Sequence, residues 1–186
     1  MKKRTICITG QNGFIGYHLY NTLKLFPEKY ILKEFEDKFF ENIDQLDSCL
    51  SDCDVIVHLA AVNRHENPKF IYDTNLDLTR KVIDAVEKLK INPQIIISSS
   101  TQESTDNPYG KSKKESRKLL IELKNTLNIP LVGLLIPNVF GPFCKPNYNS
   151  FISTFSSQLI NGISPQIIQD NNVDLIYISD LISEIL

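Results

Sequence analysis

The chain has 186 residues, 42% of them hydrophobic, with 20 lysines and arginines against 22 acids and a net charge of −2. At roughly 100–200 residues per domain this is one domain with a substantial core, which excludes wholesale disorder. The slightly acidic balance argues against nucleic acid or an anionic membrane surface as the main partner. The longest weighty apolar run, residues 131–136, falls far short of the ~20 needed to span a bilayer. Residues 1–4 are basic, but a strand pattern follows them instead of a signal-peptide apolar region, so the expected location is cytoplasmic. Cys7, Cys49, Cys53 and Cys144 include no Cys-x-x-Cys, and His18, His58 and His65 lie at no zinc-site spacing with them. Neither a disulfide framework nor a metal site is expected, and Cys7 reads as a small core residue.

In chain order, residues 5–9 (TICIT) predict a buried first strand, and residues 14–25 carry an apolar helical face. Residues 30–35 predict a second, more charged strand, and residues 54–58 a third. A long amphipathic helix over residues 69–90 turns Leu76, Leu78, Val82, Ile83 and Val86 inward. A fourth strand follows at 94–98, a helix at 109–127, and a strand at 131–136. A helix near 151–160, a weak strand about 173–178 and a helix from about 180 complete the pattern. Such alternation predicts an α/β fold, a Rossmann-type doubly wound parallel sheet, with ligands bound outside the carboxyl ends of the strands. The last helical pattern, residues 181–186, neither finishes nor caps, which predicts a truncated domain of a longer protein.

The first strand hands over to the first helix through Gly10-Gln11-Asn12-Gly13-Phe14-Ile15-Gly16. Gly10 permits the tight turn, Gly13 lets backbone approach a pyrophosphate, and Gly16 allows close helix–strand packing. The helix N-terminus then offers free amides and the positive end of its dipole. Three of the seven glycines lie within these seven residues. About 20 positions on, an acid would bind the adenosine ribose of NAD. Glu36 and Asp37 stand there, while Lys33 and Lys38 beside them could serve a 2′-phosphate, so the cofactor choice stays open.

Ser98, Ser99 and Ser100 end the fourth strand, and Tyr109-Gly-Lys-Ser-Lys113 opens the next helix. Tyrosine and lysine at i and i+4 share one helical face. There an ammonium can lower the phenol pKa and hold the nicotinamide ribose, while a serine hydroxyl polarises a carbonyl. Tyr20 and Lys24 fit the same cheap pattern inside the first helix, but no serine-ended strand precedes them.

With these residues in place, the chain resembles the extended short-chain dehydrogenase/reductase superfamily, of NAD-dependent epimerase/dehydratase type. The resemblance includes His58-Leu59-Ala60-Ala61, Asn75, Asn138-Val-Phe-Gly-Pro142 and Tyr177-Ile-Ser-Asp180. It implies cofactor contacts at residues 10–16, Glu36, Asp37, Leu59, Ala60, Ala61, Asn75, Ser98, Tyr109, Lys113 and Pro137. It also implies catalysis by Ser100, Tyr109 and Lys113. Within the superfamily the chain looks like the reductase half of bifunctional capsular polysaccharide enzymes, on the strength of HLAAVNR at 58–64, SSSTQ at 98–102, DNPYG at 106–110 and CKPNYNS at 144–150. That likeness implies NADPH-dependent reduction of a 4-keto UDP-6-deoxy-N-acetylhexosamine, with NADH as the other candidate cofactor.

The CKPNYNS run suits a nucleotide sugar: Lys145 for diphosphate, Tyr148 for stacking, Asn147 and Asn149 for hydroxyls, with Asn138 bordering the same site. The expected organisation is a dinucleotide-binding domain over residues 1–186, with a partial sugar site from about 137 onward. The C-terminal remainder and any cupin domain are expected to be absent, and the 186 residues alone are expected to turn over slowly. The expected partner is a UDP-sugar, and the resemblance allows a homodimer. Thr101 and Gln102 stand where a dehydratase needs an acid and a base, which disfavours that reaction. An NAD-retaining epimerase and a non-catalytic dinucleotide-binding module stay open.

Overall fold

The computed structural model describes residues 2–167 and 170–186, which divide into two compact units at Leu135/Ile136. In the first unit β1 (Arg4–Thr9), α1 (Phe14–Leu23), β2 (Tyr30–Lys33), α2 (Ile43–Leu50) and β3 (Val55–His58) lead to α3 (Pro68–Leu89). β4 (Gln94–Ser100), α4 (Pro108–Leu127) and β5 (Leu131–Ile136) follow. The five strands form one sheet in the order β2-β1-β3-β4-β5. β1 pairs in parallel with both β2 and β3, and β3 with β4. Because β2 lies on one side of β1 and β3 on the other, the winding reverses beside β1. A crevice opens at such a switch point, outside the carboxyl ends of the strands.

The core explains the order. Cys7, Ile56, Ile95 and Ile97 from the sheet pack with Val82 and Val86 of α3 and Leu120 and Leu123 of α4. The apolar residues of α3 recur at helical spacing, and Asn67 caps its start, accepting from the Lys69 amide at 3.0 Å. Asn107 caps α4 through the Gly110 amide at 2.7 Å. Below β1 and β2, Phe35 meets Phe40 edge-to-face at 5.2 Å between ring centres. Cys7, wholly buried, faces Cys49 with sulfurs 3.6 Å apart, both as free thiols.

Several boundaries differ from the sequence expectation. β2 ends at Lys33, because Glu36 leads into a 3-10 turn, Asp37–Glu41. α2 was not expected. Asn42 caps it by accepting from the Gln45 amide at 3.2 Å, and Asp44 sits favourably in its first turn. β4 runs two residues further than expected, to Ser100, so all three serines belong to the strand.

In the second unit β6 (Asn138–Phe140) pairs in parallel with β7 (Leu175–Tyr177), Asn138 opposite Leu175. α5 (Phe151–Ile160) and α6 (Ile178–Ile185) complete it. The Asn138 segment is therefore a short strand whose partner lies far along the chain. Among the described residues no helix is long and apolar enough to cross a membrane.

Phe35 is 2% exposed and packs edge-to-face against both Phe39 and Phe40. Phe35→Ala is expected to cost about 3–5 kcal/mol, read as a lowered urea midpoint. A loss below about 1 kcal/mol would show that the aromatic cluster does not support the β2 side of the sheet.

Candidate active site

Gly10 follows β1 directly and takes φ +72°, where a Cβ would stand 2.8 Å from the backbone of Ala60. A side chain there would wedge β1 from the Leu59–Ala61 turn after β3. A Cβ on Gly16 would meet the carbonyl oxygen of Gly10 and the backbone of Gln11. The Gly13 amide donates to the Gly10 carbonyl at 2.9 Å, closing the turn. Gly13 then starts α1 with no side-chain cap and no acid in the first turn. A cradle that admits no Cβ, under an uncapped helix start, fits a pyrophosphate.

The Gln11 side chain accepts from the Phe35 amide at 3.2 Å and so ties the loop to the end of β2. Glu36 pairs with Lys38 at 2.7 Å on an exposed surface, and Lys33 pairs with Asp52 at 2.6 Å. Both lysines that could meet a 2′-phosphate already have acidic partners.

The strand-four serines divide by face. Successive side chains alternate across a strand, so Ser98 and Ser100 share one face and Ser99 the other, with Ile95 and Ile97. Lys113, 4% exposed, donates to the Ser98 carbonyl at 2.9 Å and to its hydroxyl at 3.1 Å. The Ser98 hydroxyl in turn donates to the His58 carbonyl at 3.3 Å. Burial pulls the Lys113 amine down to about 8, against the carboxylate of Glu103, which favours its charged form. The amine lies 5.9 Å from the Tyr109 ring centre. Ser100 accepts from the Gln102 amide at 3.2 Å, opening the 3-10 turn Thr101–Ser104. Gly110 lets α4 meet that turn, since a Cβ there would strike the Gln102 carbonyl. Thus Ser98, Ser100, Tyr109 and Lys113 come together at one strand end.

A buried polar network stands behind them. Asn75, 2% exposed, accepts from the Val62 amide at 2.7 Å and donates to the Val62 carbonyl at 3.0 Å and the Ser112 hydroxyl at 2.9 Å. Ser112 donates to the Tyr109 carbonyl at 2.7 Å, fixing the first turn of α4. Asn75 therefore spends its side chain on the turn after Ala61 and on Ser112, which in turn holds the tyrosine's backbone.

Thr79 donates to the Asn75 carbonyl at 3.0 Å, so toward His58 Nε2, 3.2 Å away, it acts as acceptor. That places the His58 proton on Nε2 and makes Nδ1 the acceptor from Thr9 at 2.8 Å. His58, buried and near the Lys113 charge, falls to about 3 and is neutral at physiological pH. The sequence did not single out Thr79, Ser112, Glu103 or Arg117 for the site.

In the second unit Asn138 donates to the Asn149 carbonyl at 3.0 Å, which brings those two expected substrate residues together. The Asn147 amide donates to Thr154 at 2.9 Å, and the Lys145 amine lies 5.8 Å from the Tyr148 ring centre. A cavity of about 480 Å³ opens beside them, lined by Phe140, Pro146, Ser153, Ser157 and Tyr177 among others. None of Asn138, Lys145, Asn147, Tyr148 or Asn149 lines it. Pro137 links β5 to β6.

Residues 6–186 match the model of the NAD dependent epimerase/dehydratase family. The chain is 32% identical over 178 residues to the UDP-2-acetamido-2,6-beta-L-arabino-hexul-4-ose reductase of Pseudomonas aeruginosa, covering 95% of this chain and 47% of that protein. The crystal structure of the capsular polysaccharide assembling protein CapF from Staphylococcus aureus superposes with a TM-score of 0.80 at 34% identity, over 97% of this chain and 47% of that one. The chain thus spans about half the length of these two proteins. RMD from Pseudomonas aeruginosa, complexed with NADPH, shares the fold with a TM-score of 0.83 at 19% identity, over 97% of this chain and 72% of that one.

The buried lysine sets a pH dependence of stability. Its folded value of about 8 lies below the ordinary 10.5, so between these two pH values the unfolded state holds the proton more firmly. Stability from this group is therefore expected to rise as pH climbs through that window. Urea unfolding of the protein and of Lys113→Met across the window isolates the effect. A gap between the two that does not change with pH would mean that Lys113 titrates normally.

Proposed function

The chain belongs to the NAD dependent epimerase/dehydratase family, and from that premise we propose that it reduces the ketone of a 4-keto UDP-6-deoxy-N-acetylhexosamine to an alcohol with NADPH. The observation that carries this reading is the junction of β4 and α4. A buried lysine, a tyrosine one helical turn before it and a strand-end serine converge there. The likeness to the Pseudomonas aeruginosa reductase supports the ketone substrate, and that to CapF supports a role in capsular polysaccharide precursors.

The residues 10–16 loop and the start of α1 would hold the pyrophosphate of the dinucleotide, with the Leu59–Ala61 turn beside it. When bound, the reduced nicotinamide supplies a hydride. Tyr109 gives the proton that the new alkoxide needs, and the Lys113 ammonium stabilises the phenolate left behind. Two N–H groups of that ammonium are committed to Ser98, which leaves the third for the ribose or the phenol oxygen. Ser100 accepts from the Gln102 amide, which leaves its own O–H as the donor proposed to polarise the ketone. Asn138, Lys145, Asn147, Tyr148 and Asn149 are proposed as the sugar-nucleotide contacts. Thr101 and Gln102 carry no acid–base pair, and Glu103 is held by Arg117, which agrees with reduction over dehydration.

Two experiments follow. With a 4-keto UDP-6-deoxy-N-acetylhexosamine, the protein is expected to oxidise NADPH in step with alcohol formation, and to prefer NADPH over NADH. Interconverted sugar epimers with no net cofactor loss would point to an epimerase instead. Tyr109→Phe is expected to lower kcat roughly 100-fold or more while dinucleotide affinity changes little. Tyr20→Phe is expected to leave kcat unchanged, and equal losses in the two variants would dismiss Tyr109 as the proton donor.

A further inference from the structure

Glu103 lies three residues after Ser100, and no role in the reaction above is assigned to it. Its side chain is only 10% exposed and meets Arg117 of α4 through two hydrogen bonds, at 2.8 and 2.6 Å. Ser99 donates to the same carboxylate from the face of β4 opposite Ser98 and Ser100. The stem of Arg117 passes over Gly133 of β5, where a Cβ would stand 3.1 Å from the arginine Cδ. One carboxylate therefore joins β4, the 3-10 turn that Ser100 caps and the helix that carries Tyr109 and Lys113.

The geometry points to Glu103 as a positioning residue for the reductase: clamped by Arg117 and Ser99, it pins the Ser100 turn to α4 and sets a fixed negative charge toward the Lys113 ammonium. Among the described residues, the titratable groups shown to interact with that ammonium are His58 from β3, Tyr109 one turn earlier and Glu103. Of these His58 is neutral, so Glu103 is the anion that favours the charged amine. Arg117 and Lys114 are the cations facing Glu103, and Arg117 with Ser99 holds its carboxyl below the usual range. The carboxylate is thus ionised throughout the working pH range. A surface ion pair would contribute little, but a bidentate one whose carboxylate is mostly buried fixes both geometry and sign.

The opposed charges allow a test by sign. Glu103→Gln keeps an oxygen for Arg117 and Ser99 but removes the anion. Arg117→Gln keeps the anion and removes the cation that balances it. NMR titration of isotope-labelled lysine, with the Lys113 signal identified by its loss in Lys113→Met, should show the midpoint lowered in Glu103→Gln and raised in Arg117→Gln. This arm needs no substrate.

The kinetic arm rests on the reductase reading. There kcat/KM of Glu103→Gln should fall roughly threefold or more above the wild-type midpoint and stay within about twofold below it. Glu103→Asp should restore most of that loss. Lys113 midpoints that do not move, or that move in the same direction in both variants, would overturn the proposal. If the wild-type protein shows no ketone reduction, the reductase reading fails, and the titration still decides the role of Glu103.

Discussion

A lysine amine cut off from water is costly unless hydrogen bonds and opposite charge replace the solvent, and the site is organised around that requirement. Lys113 can be charged at neutral pH because the end of β4 gives it a carbonyl and a hydroxyl. The Ser98 hydroxyl is itself oriented by His58, and His58 is held in one tautomer by Thr9 and Thr79. The chain of dependence passes from β1 through β3 to β4. A parallel sheet with the switch point beside β1 brings those strand ends side by side.

The same arrangement separates two jobs. Glycine backbone at the end of β1 and the uncapped start of α1 leave room and dipole for an anion. Side chains at the end of β4 and the first turn of α4 supply the proton chemistry. Asn75 connects the two, because it holds both the turn after β3 and, through Ser112, the backbone of Tyr109. Loss of that amide would loosen the tyrosine without touching it. A satisfied buried network of this kind gives a single geometry, whereas a half-satisfied one would cost more than an apolar core.

What the sequence made legible follows from how local each requirement is. The glycine loop is readable because the close backbone approaches at Gly10 and Gly16 demand glycine, with Gly13 at a fixed spacing between them. Tyr109 and Lys113 are readable because they sit one turn apart immediately after a serine-ended strand. Glu103 and Arg117 were not readable as a pair, since their meeting depends on how α4 lies along β4 and on the space left at Gly133. A capping asparagine followed by an acid, Asn42 and Asp44, was the signal for α2, but its eight residues were too short for periodicity to stand out. The Asn138 strand was hidden because a three-residue element acquires its identity only from its distant partner, β7.

The most direct test of the account is the fate of the hydride. NADPH carrying deuterium in place of the transferable hydrogen, incubated with this protein and a 4-keto UDP-6-deoxy-N-acetylhexosamine, should deliver one deuterium to C4 of the sugar for each cofactor oxidised. A sugar product that carries no deuterium, or epimers formed while the reduced cofactor is retained, would contradict it.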